Sequence, residues 1–320
     1  MPVRTAFVTG GSGFVGGRLI QRLIGDGWTV RALARSGGAA AKVEAAGAEP
    51  VRGDLGDAAA LTAGARGAEV AFHAAAKVED WGDIREFRRV NVGGTQALLD
   101  ACRSAGVRRV VHVGTEAALL HGQPLVIADE RTPLAFHSRS PYSSTKAEAE
   151  ALVVAARGIE TVVVRPRFVW GRDDTTLIPA MIELVESGRF RWIGGGRQLT
   201  STTHLDNCVE GLVLAADRGT PGAAYFVTDG EPVVFRDFVS ALLASRGVQT
   251  PDRSIPRPVA VAAARAAETA WTLLRRRDHP PLTSFAVWVA SLECTLDDSR
   301  ARADLGYAPV ISRADGLAAL

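Results

Sequence analysis

The stretch "FVTGGSGFVGGRLIQRL", Phe7 to Leu23, constrains the fold more than any other part of the chain. Gly10, Gly13 and Gly16 stand at the spacing G-x-x-G-x-x-G, directly after a strand-like run and at the start of a helix-like one. Glycines there permit a tight turn and close backbone approach to a pyrophosphate, while free N–H groups and the positive end of the helix face the anion. A glycine-rich turn that binds nothing is the plain alternative; the strand before, the helix after and the alternation downstream argue against it.

That alternation runs through "RTAFVT", "WTVRAL", "EVAFH", "VRRVVHV" and "IETVVVR", short β-branched runs separated by Ala- and Leu-rich helical stretches. Strand and helix in turn imply a doubly wound α/β (Rossmann) fold, a parallel sheet with helices on both faces. We expect residues 1–165 to form a dinucleotide-binding domain. Residues 203–228 return to it through "THLDNCVEGLVLAADR", which reads as a sheet-packing helix. Residues 166–202 and 229–320 would form mainly a smaller, interleaved C-terminal substrate-binding part.

Composition narrows the partners. An apolar fraction of 47% and a charged fraction of 22% over 320 residues are those of a soluble globular protein. A net charge of +2 makes no case for nucleic acid or an acidic membrane as the main partner, and no partner follows from charge. Cys102, Cys208 and Cys294 lie far apart without metal spacing, so reduced thiols and no metal are expected. No basic segment followed by a long apolar one opens the chain, so the cytoplasm is the expected location. "VAVAAARAAETAWTLLRRR", Val259 to Arg277, is interrupted by Arg265 and Glu268. It reads as a docked helix and not an integral membrane segment, with a membrane-surface helix as the alternative.

The second strand, "WTVRALARS", ends Ala34, Arg35, Ser36, where NAD-binding versions of this fold carry a carboxylate for the ribose hydroxyls. The carboxylate is missing and the neighbouring guanidinium suits a 2′-phosphate, so NADP(H) is favoured. NAD(H) is the alternative, with Arg35 only stacking on adenine. Asp54, after the third strand, either accepts from the adenine amine or caps the next helix.

In "PYSSTKAEAE", Tyr142 and Lys146 stand one helical turn apart, a spacing that by itself marks only a shared helix face. Together with "TGGSGFVG", "GDL", "FHAAA", "NVGGT", "VRPRFVWG" and "DDSRARADLGYAP", the pair resembles the extended short-chain dehydrogenase/reductase superfamily (NAD-dependent epimerase/dehydratase type). The likeness keeps the family order over almost the full chain. In detail it is most similar to the branch of 3β-hydroxysteroid dehydrogenases and plant ketone reductases, where the strand before the catalytic residue reads much as "VRRVVHVGT" does.

The resemblance implies Tyr142 and Lys146 as the catalytic pair and Thr115 as the hydroxyl that bonds the reacting oxygen, although the family more often has Ser-Ser where Gly114 and Thr115 stand. It implies cofactor contacts at Gly10, Gly13, Phe14, Val15, Gly16, Arg35, Asp54, Leu55, Ala74, Ala75, Tyr142, Lys146 and Pro166. The phenol's ordinary pKa is about 10, and Lys146 would supply the charge that lowers it. Asn91 is similar to a family asparagine that anchors the active-site helix. His73 and His112, in apolar strands, read as buried, hydrogen-bonded histidines. A homodimer through the helices at Gly93 to Ala105 and Ser143 to Arg157 is also implied.

The implied reaction is reversible hydride transfer between a nicotinamide and a hydrophobic alcohol or ketone, 3β-hydroxysteroid-like or related. Aromatics in the second part, Phe168, Trp170, Phe190, Trp192, Trp271 and Trp288, favour such a substrate. Trp81, Glu116, Arg167, Phe168 and Trp192 are the residues expected to meet it. A nucleotide-sugar epimerase is the alternative, resting on Arg167, Arg172, Arg189, Arg191 and Arg197 as partners for a diphosphate. The run Thr115, Glu116, Ala117 lacks the last carboxylate of the dehydratases' Thr-Asp-Glu, which argues against elimination. A non-catalytic redox sensor is a third reading, disfavoured by the tyrosine–lysine pair.

Overall fold

Seven strands lie parallel in one sheet: β1 (Thr5–Thr9), β2 (Thr29–Ala34), β3 (Glu49–Arg52), β4 (Val70–His73), β5 (Arg109–Val113), β6 (Glu160–Pro166) and β7 (Ala224–Val227). The structure is a computed structural model describing residues 3–175, 177–276 and 278–320. The strand order is β7-β6-β5-β4-β1-β2-β3, the doubly wound arrangement that the alternation predicts. Ala6 pairs with Val30 on one side and Val70 on the other, so the chain reverses its direction of travel between β1 and β4. In doubly wound sheets the ligand crevice lies at that point, beyond the C-terminal strand ends.

Successive side chains take opposite faces. Ala6, Val8, Val70, Phe72, Val162 and Val164 join one core; Phe7, Ala71 and Val163 join the other. Helices Phe14–Gly25 (Leu19, Ile20, Leu23) and Leu205–Arg218 (Cys208, Leu212, Ala215) cover the first face. Helices Ala58–Ala65, Gly94–Ser104 and Pro141–Ala155 cover the second through Leu61, Leu98 and Val153. Burial on both faces explains why the strands read as continuous apolar runs.

Beyond β6, a small four-stranded sheet joins Val233–Val234, Leu199–Thr200, Cys294–Leu296 and Leu125–Ala128. Beside it Trp170, Phe190, Trp192, Phe235 and Phe238 pack edge to face, with ring centroids 4.9 Å apart for Phe190 and Trp192 and 5.3 Å for Trp170 and Phe238. Trp192, expected to meet substrate, sits inside this packing. It is only 1% exposed and its indole N–H donates to the Pro251 carbonyl at 2.9 Å, so both its apolar body and its polar tip are engaged in the core.

Helix Arg257–Leu273 docks on helix Ser284–Ser291 through Ala260 and Ala264, and the Glu268 carboxylate accepts from the Ser284 N–H at 2.6 Å. Arg277, the last residue of the run read from sequence, lies outside the described residues, as do Met1 and Pro2. Among the described residues no helix is long and apolar enough to cross a membrane. The three cysteines are buried and unpaired, and burial pushes each thiol up to about 12.

The first turn is a backbone-to-backbone contact. Gly10 has φ +76°, and a Cβ there would lie 2.6 Å from the Ala74 carbonyl carbon and the Ala75 nitrogen. A Cβ on Gly16 would lie 2.2 Å from the Gly10 oxygen. Gly16→Ala is therefore expected to cost about 1–3 kcal/mol of stability and to weaken dinucleotide binding. Urea unfolding and cofactor titration check this, and a variant indistinguishable from the parent in both would show that the turn tolerates the methyl group.

Candidate active site

The crevice is lined from the strand ends. Helix Phe14–Gly25 begins there with Gly13 at its N-cap, no side chain capping it and no acid in its first turn, so the N–H groups of its first turn are left for a ligand. Phe14 and Val15 open that helix, and Ala74 and Ala75 form the floor against Gly10. Arg35, exposed just past β2, edges a hollow shared with Gly53, Asp54, Gly56, Asp57 and Ala58. Asp54 accepts from the Gly56 N–H at 2.7 Å. The helix cap is Asp57, which accepts from the Ala60 N–H at 2.9 Å. Leu55, half-buried, lies against Gly94, and Pro166 ends β6. Arg52, which the sequence reading passes over, ends β3 beside Ala34 and donates to the Ser36 carbonyl at 2.9 Å. Only the pairing of β2 with β3 brings it near Arg35.

Helix Pro141–Ala155 starts with Pro141 in its first turn and Ser140 as cap, accepting from the Ser143 N–H. Tyr142 is half-buried, edge-on to Phe285 with centroids 5.7 Å apart. One turn on, the Lys146 ammonium, 3% exposed, donates to the Val113 carbonyl at 2.8 Å and faces His112 Nε2 at 3.2 Å. Burial pushes Lys146 down to about 8, with Glu150 resisting. Burial also pushes the Tyr142 phenol above its ordinary range, Glu116 adds to this, and the Thr115 hydroxyl beside it acts the other way. A buried ammonium needs acceptors, and the strand carbonyl and the imidazole supply them.

Thr115 caps the turn Glu116–Leu119, accepting from the Ala117 N–H at 3.1 Å and donating to Glu116 Oε2 at 2.8 Å. The other Glu116 oxygen meets Arg167 Nη1 at 2.5 Å, and Arg167 Nε donates to Thr200 Oγ1 at 3.0 Å. Glu116 and Arg167, both expected to meet substrate, are 5% and 1% exposed and neutralise each other in the interior. Phe168, the next residue, is held at φ +46° and packs on Phe235 and Phe238. Trp81 sits half-buried in a loop whose Asp80 carboxylate is held by His279 and Thr283.

Beneath the row runs a buried chain. Thr95 gives its proton to the Asn91 carbonyl at 2.6 Å, so it accepts from His73 Nε2–H at 2.9 Å, and Thr9 donates to His73 Nδ1 at 2.7 Å. Asn91, in a π-helical turn at Arg88–Gly93, brackets the Lys77 backbone and donates to Thr145 Oγ1 of helix Pro141–Ala155 at 3.1 Å. His73 and His112 are both buried, with ring centroids 5.1 Å apart.

The model of the 3-beta hydroxysteroid dehydrogenase/isomerase family matches residues 7–257, and the chain belongs to that family. It is 46% identical to the 4-hydroxy-2-methyl-3-oxo-4-farnesyl-3,4-dihydroquinoline-1-oxide ketoreductase of Stigmatella aurantiaca, over 98% of this chain and 95% of that protein. It is 36% identical to the 2-alkyl-3-oxoalkanoate reductase of Stenotrophomonas maltophilia, over 97% of this chain and 96% of that one. Among solved structures, the dTDP-glucose 4,6-dehydratase DesIV of Streptomyces venezuelae with NAD bound superposes with a TM-score of 0.76 at 25% identity, covering 98% of this chain and 94% of that one. The chain is an NAD(P)-dependent oxidoreductase of the extended short-chain dehydrogenase/reductase type, as the resemblance implies.

Burial holds His73 neutral, its pKa pushed down to about 3, with the Lys146 charge adding to the effect. The unfolded chain takes up a proton near pH 6.5 that the folded one refuses, so stability is lost as pH falls below that value. From this one residue we expect a loss of roughly 3 kcal/mol between pH 7 and pH 4. In urea unfolding, His73→Gln is expected to be less stable than the parent at pH 7 but to have a shallower acid slope; equal slopes would show that His73 titrates normally.

Proposed function

We propose that this protein is an NADP(H)-dependent ketoreductase, reversible as an alcohol dehydrogenase, acting on a bulky hydrophobic ketone with a hydrocarbon chain on the neighbouring carbon. The observation that carries the reading is the row Thr115, Tyr142 and Lys146 at the end of β5 and on the adjoining helix, beside a backbone cradle with no room for a Cβ at Gly10 or Gly16. The nicotinamide supplies or accepts the hydride. Gly10, Gly13, Phe14, Val15 and Gly16 would hold the pyrophosphate, Arg35, Asp54 and Leu55 the adenosine end, and Ala74, Ala75, Lys146 and Pro166 the nicotinamide half. Tyr142 gives its proton to the carbonyl oxygen in reduction and takes one from the hydroxyl in oxidation.

NADP(H) is supported by the exposed Arg35 guanidinium, the missing carboxylate at the end of β2, and a second guanidinium, Arg52, on the Ser36 carbonyl. The substrate class is supported by the two relatives, whose names each put a 3-oxo group beside a carbon bearing a farnesyl or alkyl chain. Residues 166–202 and 229–320 would cover it, with Trp81 and Phe168 as the half-buried aromatics nearest the row in sequence. Against a nucleotide sugar, Arg167 is neutralised by Glu116, Arg189 by Glu183, and Arg191 is taken by the Gly188 and Phe190 carbonyls.

The direct test is NADPH absorbance with a 2-alkyl-3-oxo acid, and NADP⁺ with a 3β-hydroxysteroid. Net cofactor conversion in either establishes the activity; none in both favours an epimerase, which returns its hydride within each turnover. Tyr142→Phe is expected to lower turnover at least about 100-fold with NADPH binding retained, and near-normal turnover would refute the mechanism. Arg35→Ala is expected to weaken NADPH about 10- to 100-fold and NADH little. An equal loss for both cofactors sinks the 2′-phosphate role.

A further inference from the structure

We propose that His112 is a positioning residue for Lys146: the bare Nε2 of its neutral ring, together with the Val113 carbonyl, holds the buried ammonium at the end of β5 and leaves it one uncommitted N–H. The inference deepens the functional reading and rests on its assignment of Lys146 to the nicotinamide half of the cofactor site.

A histidine is costly in the middle of an apolar sheet. His112 stands in β5 between Val111 and Val113, with His73 of β4 and Val163 of β6 as its register partners, and it is 1% exposed. His73 does not satisfy it, because Thr9 donates to one His73 nitrogen and Thr95 accepts from the other. Among the described residues the one hydrogen-bond partner of His112 is Lys146 Nζ, 3.2 Å from Nε2, and Nδ1 has none. A buried nitrogen left unpaired costs stability and calls for a reason. Packing supplies none, since an apolar side chain would fill the same place without that cost.

Counting protons fixes the direction of the contact. An ammonium has three N–H donors and no lone pair, so it gives one to the Val113 carbonyl at 2.8 Å and one to His112 Nε2, which must be bare. The ring proton is then on Nδ1, the nitrogen without a partner. Burial holds the imidazole well below its ordinary range, the Lys146 charge and His73 adding to this, so the ring accepts and does not repel. Both acceptors belong to consecutive residues of an interior strand, which fixes the ammonium to a rigid element. A lysine in so dry a place gives up its proton readily, and an acceptor on the charged form opposes that loss. The other titratable groups around the ammonium are His73 on β4, also neutral by burial, and Tyr142 and Glu150, one turn before and one turn after it on its own helix, with Glu150 tied to Arg165 of β6.

The readout is the pH titration of the lysine side chains by NMR of protein labelled at the lysine Cε, without cofactor. The chain has three lysines, Lys42, Lys77 and Lys146, and Lys146→Met assigns the resonance. In His112→Leu the Lys146 midpoint is expected at least about one pH unit below the parent's, about a tenfold loss of proton affinity. In His112→Gln, whose amide oxygen can take the place of Nε2, it is expected within about half a unit of the parent. An unmoved midpoint in His112→Leu, or equal movement in the two variants, which would make His112 a packing residue, overturns the proposal. Should His112→Leu not fold, the parent decides by nitrogen NMR of its six histidines, with His112→Gln assigning the ring. A neutral Nδ1–H tautomer near pH 7 is expected, and an Nε2–H tautomer or a charged ring overturns the proposal. Neither measurement uses turnover, so a failure to reduce any ketone would sink the functional reading and leave these outcomes to be read separately.

Discussion

Everything at the crevice depends on one close contact between backbones, the packing of the Gly10–Gly16 turn against the end of β4. Because neither Gly10 nor Gly16 has a Cβ, the turn packs on the Ala74 and Ala75 backbone and the first helix packs on the turn. That places uncapped N–H groups at the point where β1 and β4 part. A single methyl group there would push the helix outward, and with it the uncapped N–H groups of its first turn.

The second constraint is electrostatic. Lys146, Glu116, Arg167, Glu150 and Arg165 are all nearly withdrawn from water around the ends of β5 and β6. Arg165 pairs with Glu150 and Arg167 with Glu116, so the desolvation of each charge is offset by a partner held in one geometry. A carbonyl and a neutral imidazole hold Lys146, and burial lowers its pKa. The resting phenol is disfavoured as an anion by the same dryness that would make a nearby positive charge effective once a cofactor and substrate fill the crevice.

Much of this was legible in the chain. Period and composition are local properties, so β1, β2, β4, β5 and β6, the glycine turn and the sheet-packing helix at Leu205–Arg218 could be read directly. Side-chain direction could not. The Trp192 ring, the Glu116–Arg167 pair and the turn of Lys146 toward β5 depend on partners 51 residues away in one case and 59 in another. Arg52 carries no motif at all; it matters only because β3 pairs with β2 and sets its guanidinium on the Ser36 carbonyl.

By itself the sequence determined the fold class, the place of the glycine turn between β1 and the first helix, and the one-turn spacing of Tyr142 and Lys146 on one helix, because each is written in residues a few positions apart, where backbone geometry translates spacing directly into position. Only the tertiary structure decided which charged groups cancel, which aromatics are core, and which way the Thr115 proton points. Those follow from the convergence of strand ends far apart in the chain, where desolvation leaves each polar group only the partners the fold brings to it.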